Sequence, residues 1–212
     1  TLDNSIDRGL SEEISEWVRA YGSDVSIDQL EREFSHQRGY KQSSVKLALH
    51  WSDLLSCYKQ CYIHPETLGI KPEIIDAVKQ TLIEASEVRA KERLPHVQFD
   101  WLLKQYYSSL PSLNQPFDWT GQLLISITEQ LDIAFIFHEA FVLKDNDFRI
   151  DDFDDLIGYL IGVVFDDYRV DLKKIENYAK AQGLLELGAT LKRDDVFFNG
   201  SSVQLIDEGQ SV

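Results

Sequence analysis

Apolar residues recur at helical spacing through most of this chain, and the clearest case follows Pro72. Proline is well suited to the first turn of a helix, and Pro95 ends the pattern because the residue before a proline avoids helical geometry. Such a stripe predicts a long amphipathic helix packed against a core. The stripe comprises Ile75, Val78, Leu82, Ala85 and Val88.

Local capping signals predict further helices. Ser26 and Gln29 have the spacing of a capping box, which predicts a helix ending near Gly39. A third helix is predicted from Ser43 or Ser44 through Tyr58. Further helical segments are expected over residues 97–108 and 118–142, and a proline-containing loop at 111–116 lies between them. The predicted fold is mainly α, with a helical region over residues 1–115 and a second region over 116–212.

The last sixty or so residues follow a different pattern. Helices are expected at about 152–167 and 171–182, followed by two short apolar runs joined around Asn199 and Gly200, a strong β-hairpin signal. This order of helix, turn, helix and hairpin over residues 152–207 resembles a winged helix. The resemblance is topological and implies an architecture without indicating a family.

A second helix–turn–helix pattern spans Ser26 to Leu55. No hairpin is predicted after it, so simple helical packing is the favoured interpretation. The tripeptide Phe-Asp-Trp occurs at 99–101 and again at 117–119, which is too short a match to predict an internal repeat.

Charge suggests the kind of partner. The chain has 36 acidic and 21 basic side chains, a formal net charge of -15 and a pI of about 4.6. Such a chain is repelled by nucleic-acid phosphates and anionic membranes and attracted to basic proteins. We therefore expect a non-catalytic protein-binding module, such as an inhibitor, an immunity-type protein or an accessory subunit. The residues predicted to contact a basic partner are Asp151, Asp152, Asp154 and Asp155.

The alternative is a DNA-binding regulator that uses the second helix of the winged-helix-like unit. Basic and amide side chains suit a helix that reads DNA, whereas the many aspartates just before this helix would oppose phosphate contacts. The residues concerned are Lys173, Lys174, Asn177 and Lys180.

Two patterns suggest metal sites, and each departs from what the metal requires. The acidic stretch at 145–154 partly matches a calcium loop, but Leu143 occupies the first ligand position and Phe148 replaces the required glycine. The second pattern would lie on one face of the predicted third helix, with its end residues roughly 21 Å apart. That second pattern is His50, Cys57, Cys61 and His64. We therefore expect no metal and no cofactor.

Catalytic motifs are missing from the sequence. His138 and Glu139 could form an acid–base pair in the helix predicted at 118–142, although a structural contact is the commoner role. No nucleophile elbow, phosphate loop, dinucleotide fingerprint or zinc-protease motif occurs, so we expect no enzyme. The two cysteines do not form a disulfide framework, no signal peptide is evident at residues 1–8, and charges interrupt the longest apolar tract. These features predict a cytoplasmic protein without a membrane span.

Overall fold

The computed structural model describes residues 4–58, 60–165, 169–186, 188, 197–199 and 202–204. Helices dominate, and short strands form small antiparallel sheets of three strands each, which confirms the mainly α class. No helix within this described part of the chain is long and apolar enough to cross a membrane.

The elements fall into three consecutive groups. The first contains α1 (Asn4–Tyr21), β1 (Val25–Ser26), α2 (Ile27–Leu30, continued by a π-helical segment, Glu31–Gln37), α3 (Gln42–His50), β2 (Leu55–Tyr58) and β3 (Cys61–Ile63). A short helix, α4 (Pro65–Leu68), leads to the second group. That group contains α5 (Pro72–Lys91), β4 (Val97–Gln98), α6 (Phe99–Tyr106, continued by a 3-10 turn, Tyr107–Ser109), α7 (Gly121–Leu131), β5 (Ala134–Phe137) and β6 (Ala140–Leu143). The third contains α8 (Phe153–Tyr159, continued by a π-helical segment, Leu160–Val164), β7 (Arg169–Asp171), α9 (Leu172–Ala181), β8 (Phe197–Asn199) and β9 (Ser202–Gln204).

The same order of elements occurs in all three groups, which we call repeat 1 (residues 4–63), repeat 2 (72–143) and repeat 3 (153–204). In each, a helix is followed by a short strand, a second helix and a hairpin, and the short strand pairs with the last strand of the hairpin. The strand orders are accordingly β1-β3-β2, β4-β6-β5 and β7-β9-β8. Repeats 1 and 2 each have a further helix before the hairpin, which is α3 in repeat 1 and α7 in repeat 2. In repeat 3 most of the corresponding segment lies outside the described residues.

The strand register is equivalent in the three repeats. The last residue of the first strand is also the N-cap of the next helix, and it pairs with the first residue of the last strand. The residue immediately before this cap is a buried valine in each repeat. The residue four positions after the cap is a buried leucine or isoleucine. The cap pairs are Ser26 with Cys61, Gln98 with Ala140 and Asp171 with Ser202.

The sequence did not predict this recurrence of elements. Only a valine, a cap and one apolar residue recur at fixed spacing, too sparse a pattern to stand out in the sequence. The Phe-Asp-Trp tripeptide is unrelated to it, since one copy starts α6 and the other lies in the loop before α7. The recurring apolar residues are Val25, Val97 and Val170, followed by Leu30, Leu102 and Ile175.

The predicted third helix is wrong beyond His50. The backbone amide of Trp51 donates to the Ala48 carbonyl, and the Ser52 hydroxyl donates to the Leu49 carbonyl, which ends α3. The chain then forms the β2–β3 hairpin. A hairpin therefore does follow the helix–turn–helix pattern at 26–55, contrary to expectation.

The helix predicted over residues 118–142 is also wrong in its second half. Helix α7 ends at Leu131, and Asp132 has a positive φ of 52°, which breaks helical geometry. Strands β5 and β6 then pair from Ala134 with Leu143 to Phe137 with Ala140. The short segment Val97–Gln98, predicted as helix, is strand β4.

The C-terminal elements agree with the sequence. The predicted helices correspond to α8 with its π-helical extension and to α9. Strands β8 and β9 pair antiparallel, which confirms the predicted hairpin, although Asn199 pairs with Ser202 and so belongs to the strand.

The chain divides into two compact units. One contains residues 1–78 and 108–127, and the other contains residues 79–107 and 128–212. Each contains its own apolar cluster. The first cluster includes Ile14, Leu30, Phe34, Val45 and Ala48, and the second includes Ile150, Leu156, Ile157, Ile175 and Leu184.

Candidate protein-binding site

A single side chain organises the loop between β6 and α8. The Asn146 Nδ2 donates to the carbonyls of Leu143 and Ile150, at 2.8 and 3.1 Å, while its Oδ1 accepts from the amides of Phe148 and Ile150, at 3.0 and 3.2 Å. Ile150 is fully buried and anchors the loop in the core. Asp145 and Asp147, the neighbours of Asn146 in the chain, have exposed side chains. The calcium-loop pattern is therefore a turn stabilised by an asparagine.

The same loop forms one wall of a pocket of about 230 Å³. Helix α5 contributes further lining residues. The lining of the pocket combines apolar surface from Pro95, Leu143 and Phe148 with the carboxylates of Glu87, Asp145 and Asp147. Within the described residues, none of these three carboxylates forms an ion pair. Such a pocket can accept a cationic group on an aliphatic chain. The remaining lining residues are Ser86, Ala90 and Asn146.

The four aspartates predicted to bind a basic partner lie at the start of α8, and all are exposed. Asp152 is the N-cap, and its carboxylate accepts from the Asp155 amide at 2.9 Å. The Asp155 carboxylate accepts in turn from the Asp151 amide at 3.1 Å. Asp152 and Asp155 therefore stabilise the helix start, and Asp154 lies in the first turn, where negative charge complements the helix dipole.

The candidate DNA-binding side chains lie on α9. Lys173, Lys174 and Asn177 are exposed, and Lys180 is half-buried. The Lys174 ammonium lies 5.1 Å from the centre of the Phe165 ring, so part of its charge is already satisfied by a cation–π contact. Helix α9 directly follows the short strand of its repeat, the place occupied by α2 and α6 in the other repeats.

The four residues considered for a metal site do not share a helix face. Cys57 and Cys61 lie on the paired strands β2 and β3, His50 ends α3, and His64 caps α4. The described residues contain no group of three or more His, Cys, Asp or Glu side chains placed to hold a metal ion. The Cys57 thiol donates to the Cys61 carbonyl over 3.7 Å. Burial, with a smaller contribution from the nearby charge of Asp24, raises the pKa of Cys57 to about 11.

A polar network that the sequence did not predict surrounds His64. The Ser15 hydroxyl donates to the Asp53 Oδ1, and the Asp53 Oδ2 lies 3.6 Å from the His64 Nε2. The His64 Nδ1 accepts from the Glu66 amide at 3.2 Å. Because the serine donates to the carboxylate and makes no hydrogen bond to the histidine, this arrangement does not resemble an activated nucleophile. It links α1, the α3–β2 loop and α4 structurally.

His138 and Glu139 form the two-residue loop of the β5–β6 hairpin and are not part of a helix. His138 has a positive φ of 54°, and its Nδ1 lies 4.0 Å from a carboxylate oxygen of Glu186. The Glu139 backbone contributes two hydrogen bonds, from its amide to the Gly183 carbonyl and from the Phe99 amide to its carbonyl. The His138 Nε2 lies 3.8 Å from the Glu139 Oε1, so the two side chains are close together in this loop.

Neither a protein-family model nor a curated protein matches this sequence. The pocket itself had no signal in the sequence, because Glu87 comes from α5 and its partners come from a loop three strands later. The run of aspartates was the only indication of that region.

Proposed function

We propose that this chain is a non-catalytic protein-binding module that binds a basic segment of a partner protein through its acidic pocket. One observation carries the proposal: Glu87, Asp145 and Asp147 line a pocket of about 230 Å³ that also has apolar lining residues, and they form no ion pair among the described residues. A lysine or arginine side chain could place its aliphatic stem against Pro95 and Phe148 and its charge among the carboxylates. The role of such a module would be that of an inhibitor, an immunity-type protein or an accessory subunit of a larger complex.

The aspartates at the start of α8 extend the negative surface along the chain. Asp151, Asp152, Asp154 and Asp155 are exposed. With a net charge of -15, the protein attracts basic partners at long range. We infer that these aspartates accelerate encounter with the partner, while the pocket determines which side chain is held, since rim charges affect association rate more than final affinity.

We also propose that each repeat is winged-helix-like, as expected for the C-terminal region. The shared order of helix, strand, helix and hairpin and the equivalent strand register support this assignment. Winged helices serve as protein-binding modules as well as DNA readers, so this architecture is compatible with the proposed role and does not determine it.

The test has two stages. Tagged protein is first used to capture partners from nuclease-treated lysate of its native cells, and the partner found is then purified for association kinetics. The pocket variant is Glu87→Gln, Asp145→Asn, Asp147→Asn, and the face variant changes Asp151, Asp152, Asp154 and Asp155 to Asn, which keeps the cap acceptor of Asp152. A matched control removes three exposed charges elsewhere through Glu12→Gln, Glu73→Gln and Asp76→Asn.

We expect the face variant to slow association about tenfold and to flatten its salt dependence. The pocket variant should instead raise the dissociation rate, since it removes the charges that hold the bound cation. Equal effects of the control and the two test variants would contradict the proposal, because general charge would then explain the binding. Failure to capture any protein partner would contradict it as well.

A second candidate function is DNA binding through α9. It is favoured by the exposed Lys173, Lys174 and Asn177 on one helix. Fluorescence anisotropy with a random-sequence DNA duplex at low salt tests it. Changing Lys173, Lys174 and Lys180 to alanine should abolish binding if α9 contacts DNA, and unchanged affinity would exclude that helix.

A further inference from the structure

Helix α3 of repeat 1 exposes two large apolar side chains on its outer face. Leu47 is 41% exposed and Trp51, immediately after the last helical residue, is 65% exposed. Residues four apart lie on the same side of a helix, so the two are neighbours. The other face of α3, through Val45, Ala48 and Leu49, is buried in the core. Exposed tryptophan is uncommon on a free surface and is enriched among residues that dominate binding energy.

The corresponding helix of repeat 2 has no such exposed apolar face. In α7 the apolar residues Leu123, Leu124 and Ile127 are buried, and Ile125 and Leu131 are half-buried. Its Ser126 hydroxyl, also buried, accepts a hydrogen bond from the Ser56 amide on β2. The repeated architecture therefore does not require the exposed apolar face of α3, because α7 occupies the same place in the element order with its apolar residues buried or half-buried.

The segment of the chain that contains α3 carries a net positive charge, unlike the protein as a whole. Residues 39–65, which span α3 and the following hairpin, contain three lysines and one aspartate, a net charge of +2 in a chain of net charge -15. Lys41 immediately precedes α3, Lys46 lies on it, and both are exposed. Lys46 forms one ion pair, with Glu31 at 3.4 Å, and its side chain remains 61% exposed. The helix itself contains no acidic residue.

We propose that the outer face of α3 binds an acidic, apolar peptide segment of a partner protein. Leu47 and Trp51 contact its apolar side chains, and Lys41 and Lys46 contact its carboxylates. In this binding mode a peptide lies against an exposed helix face, with apolar contacts at the centre and charged contacts at the rim. This site shares no residue with the acidic pocket and does not depend on the function proposed for that pocket.

A peptide explains the surface better than nucleic acid does. Nucleic-acid binding relies on many phosphate contacts by basic side chains, and two exposed lysines near α3 supply few of them. Duplex DNA would also leave much of the apolar surface of Leu47 and Trp51 without an apolar partner.

Random-peptide display against the full chain tests the proposal. Peptides are selected on the variant Glu87→Gln, Asp145→Asn, Asp147→Asn, so that binders of the acidic pocket are not enriched. Circular dichroism and thermal unfolding establish that each variant is folded. Affinities of the selected peptides are then measured by fluorescence anisotropy for the wild type, for Leu47→Ala, Trp51→Ala, for Lys41→Glu and for the control Val88→Ala, Lys79→Glu, which changes an exposed valine and lysine on α5.

We expect the selected peptides to combine aspartate or glutamate with leucine, phenylalanine or tryptophan. Their affinity should fall about tenfold or more in Leu47→Ala, Trp51→Ala and severalfold in Lys41→Glu, with no change in the control. Selected peptides that are basic, affinities that survive both α3 variants, or no enrichment at all would each overturn the proposal. Binding of a DNA duplex that Trp51→Ala abolishes would overturn it in favour of nucleic acid.

Discussion

The Nε2 of His96 lies 3.1 Å from the Oε1 of Gln182, although 86 residues separate the two in the chain. His96 is fully buried, and its Nδ1 has no hydrogen-bond partner among the residues that the structure describes. Burial is the largest cause of its low pKa, about 4, because it disfavours the charged imidazolium; the hydrogen bond with Gln182 opposes the shift and Arg89 adds to it. His96 is therefore neutral in the folded protein at pH 7.

This buried histidine predicts a loss of stability in mild acid. Between pH 6.5, the ordinary pKa, and about 4, the unfolded chain binds a proton that the folded protein excludes, so stability falls as pH falls. Above pH 6.5 neither the folded nor the unfolded chain binds this proton, so the full stability is retained there. Between about pH 7.5 and pH 5, we expect the wild type to lose about 2 kcal/mol more than the His96→Leu variant. Urea unfolding at several pH values measures this, and parallel curves for the two proteins would disprove it.

Asn146 should be essential to the loop that lines the acidic pocket. Asn146→Ala removes four hydrogen bonds and leaves buried backbone groups without partners, so we expect a loss of roughly 1–3 kcal/mol in unfolding free energy. Asp145→Asn, at an exposed neighbour, should change it by less than about 0.5 kcal/mol. Equal stability of the two variants in urea unfolding would show that the asparagine contacts contribute little.

Gly183 ends α9 in a conformation that a side chain would disturb. Its φ is +64°, and a Cβ there would lie 3.1 Å from the Glu139 Cβ. Gly22 has a similar φ of +72° with open space around it, so Gly22→Ala measures the cost of the backbone alone. We expect Gly22→Ala to cost about 1 kcal/mol and Gly183→Ala to cost more. Thermal unfolding of both variants compares them, and equal losses would mean that Glu139 moves aside freely.

Cys57 should be chemically inert in the folded protein. It is buried, and its pKa of about 11 leaves little of the reactive thiolate at neutral or mildly basic pH. We expect iodoacetamide to modify Cys57 on the order of 100-fold more slowly in the native state than in urea. Cys61 is only partly buried and should react faster than Cys57. Mass spectrometry of digested samples measures both rates, and rapid native labelling of Cys57 would contradict the burial described.

Local signals predicted the helices well where one residue type sets the backbone geometry. Ser26 and Gln29 form the expected capping box, and Pro72 begins the long helix α5. The Asp152 cap at the start of α8 and the predicted helix at 171–182 also correspond to the structure. Each of these capping interactions joins residues that are close together in the sequence, so the helix start that it sets depends little on the rest of the chain.

Two hairpins were mistaken for helix because their sequences lack turn signals. Short apolar runs such as Ala134–Phe137 suit either a strand or a buried helix. Their loops lack the Asn-Gly or Asp-Gly that marks a tight turn, and Gln60 and His138 adopt positive φ instead. Pairing with a two-residue strand, Val25–Ser26 or Val97–Gln98, completes each sheet. Such short strands have no periodicity to detect.

The sequence by itself determined the mainly helical class, the strongly negative charge and the positions of the capped helices, since these depend on composition and near neighbours. Tertiary structure alone decided that Glu87 shares a pocket with Asp145 and Asp147, that Trp51 stays exposed while Leu123, Leu124 and Ile127 of α7 are buried, and that the strand register recurs three times. Each of those outcomes depends on contacts between residues far apart in the chain. Side-chain spacing along the sequence does not specify which distant segments meet, so these features emerge only when the chain is folded.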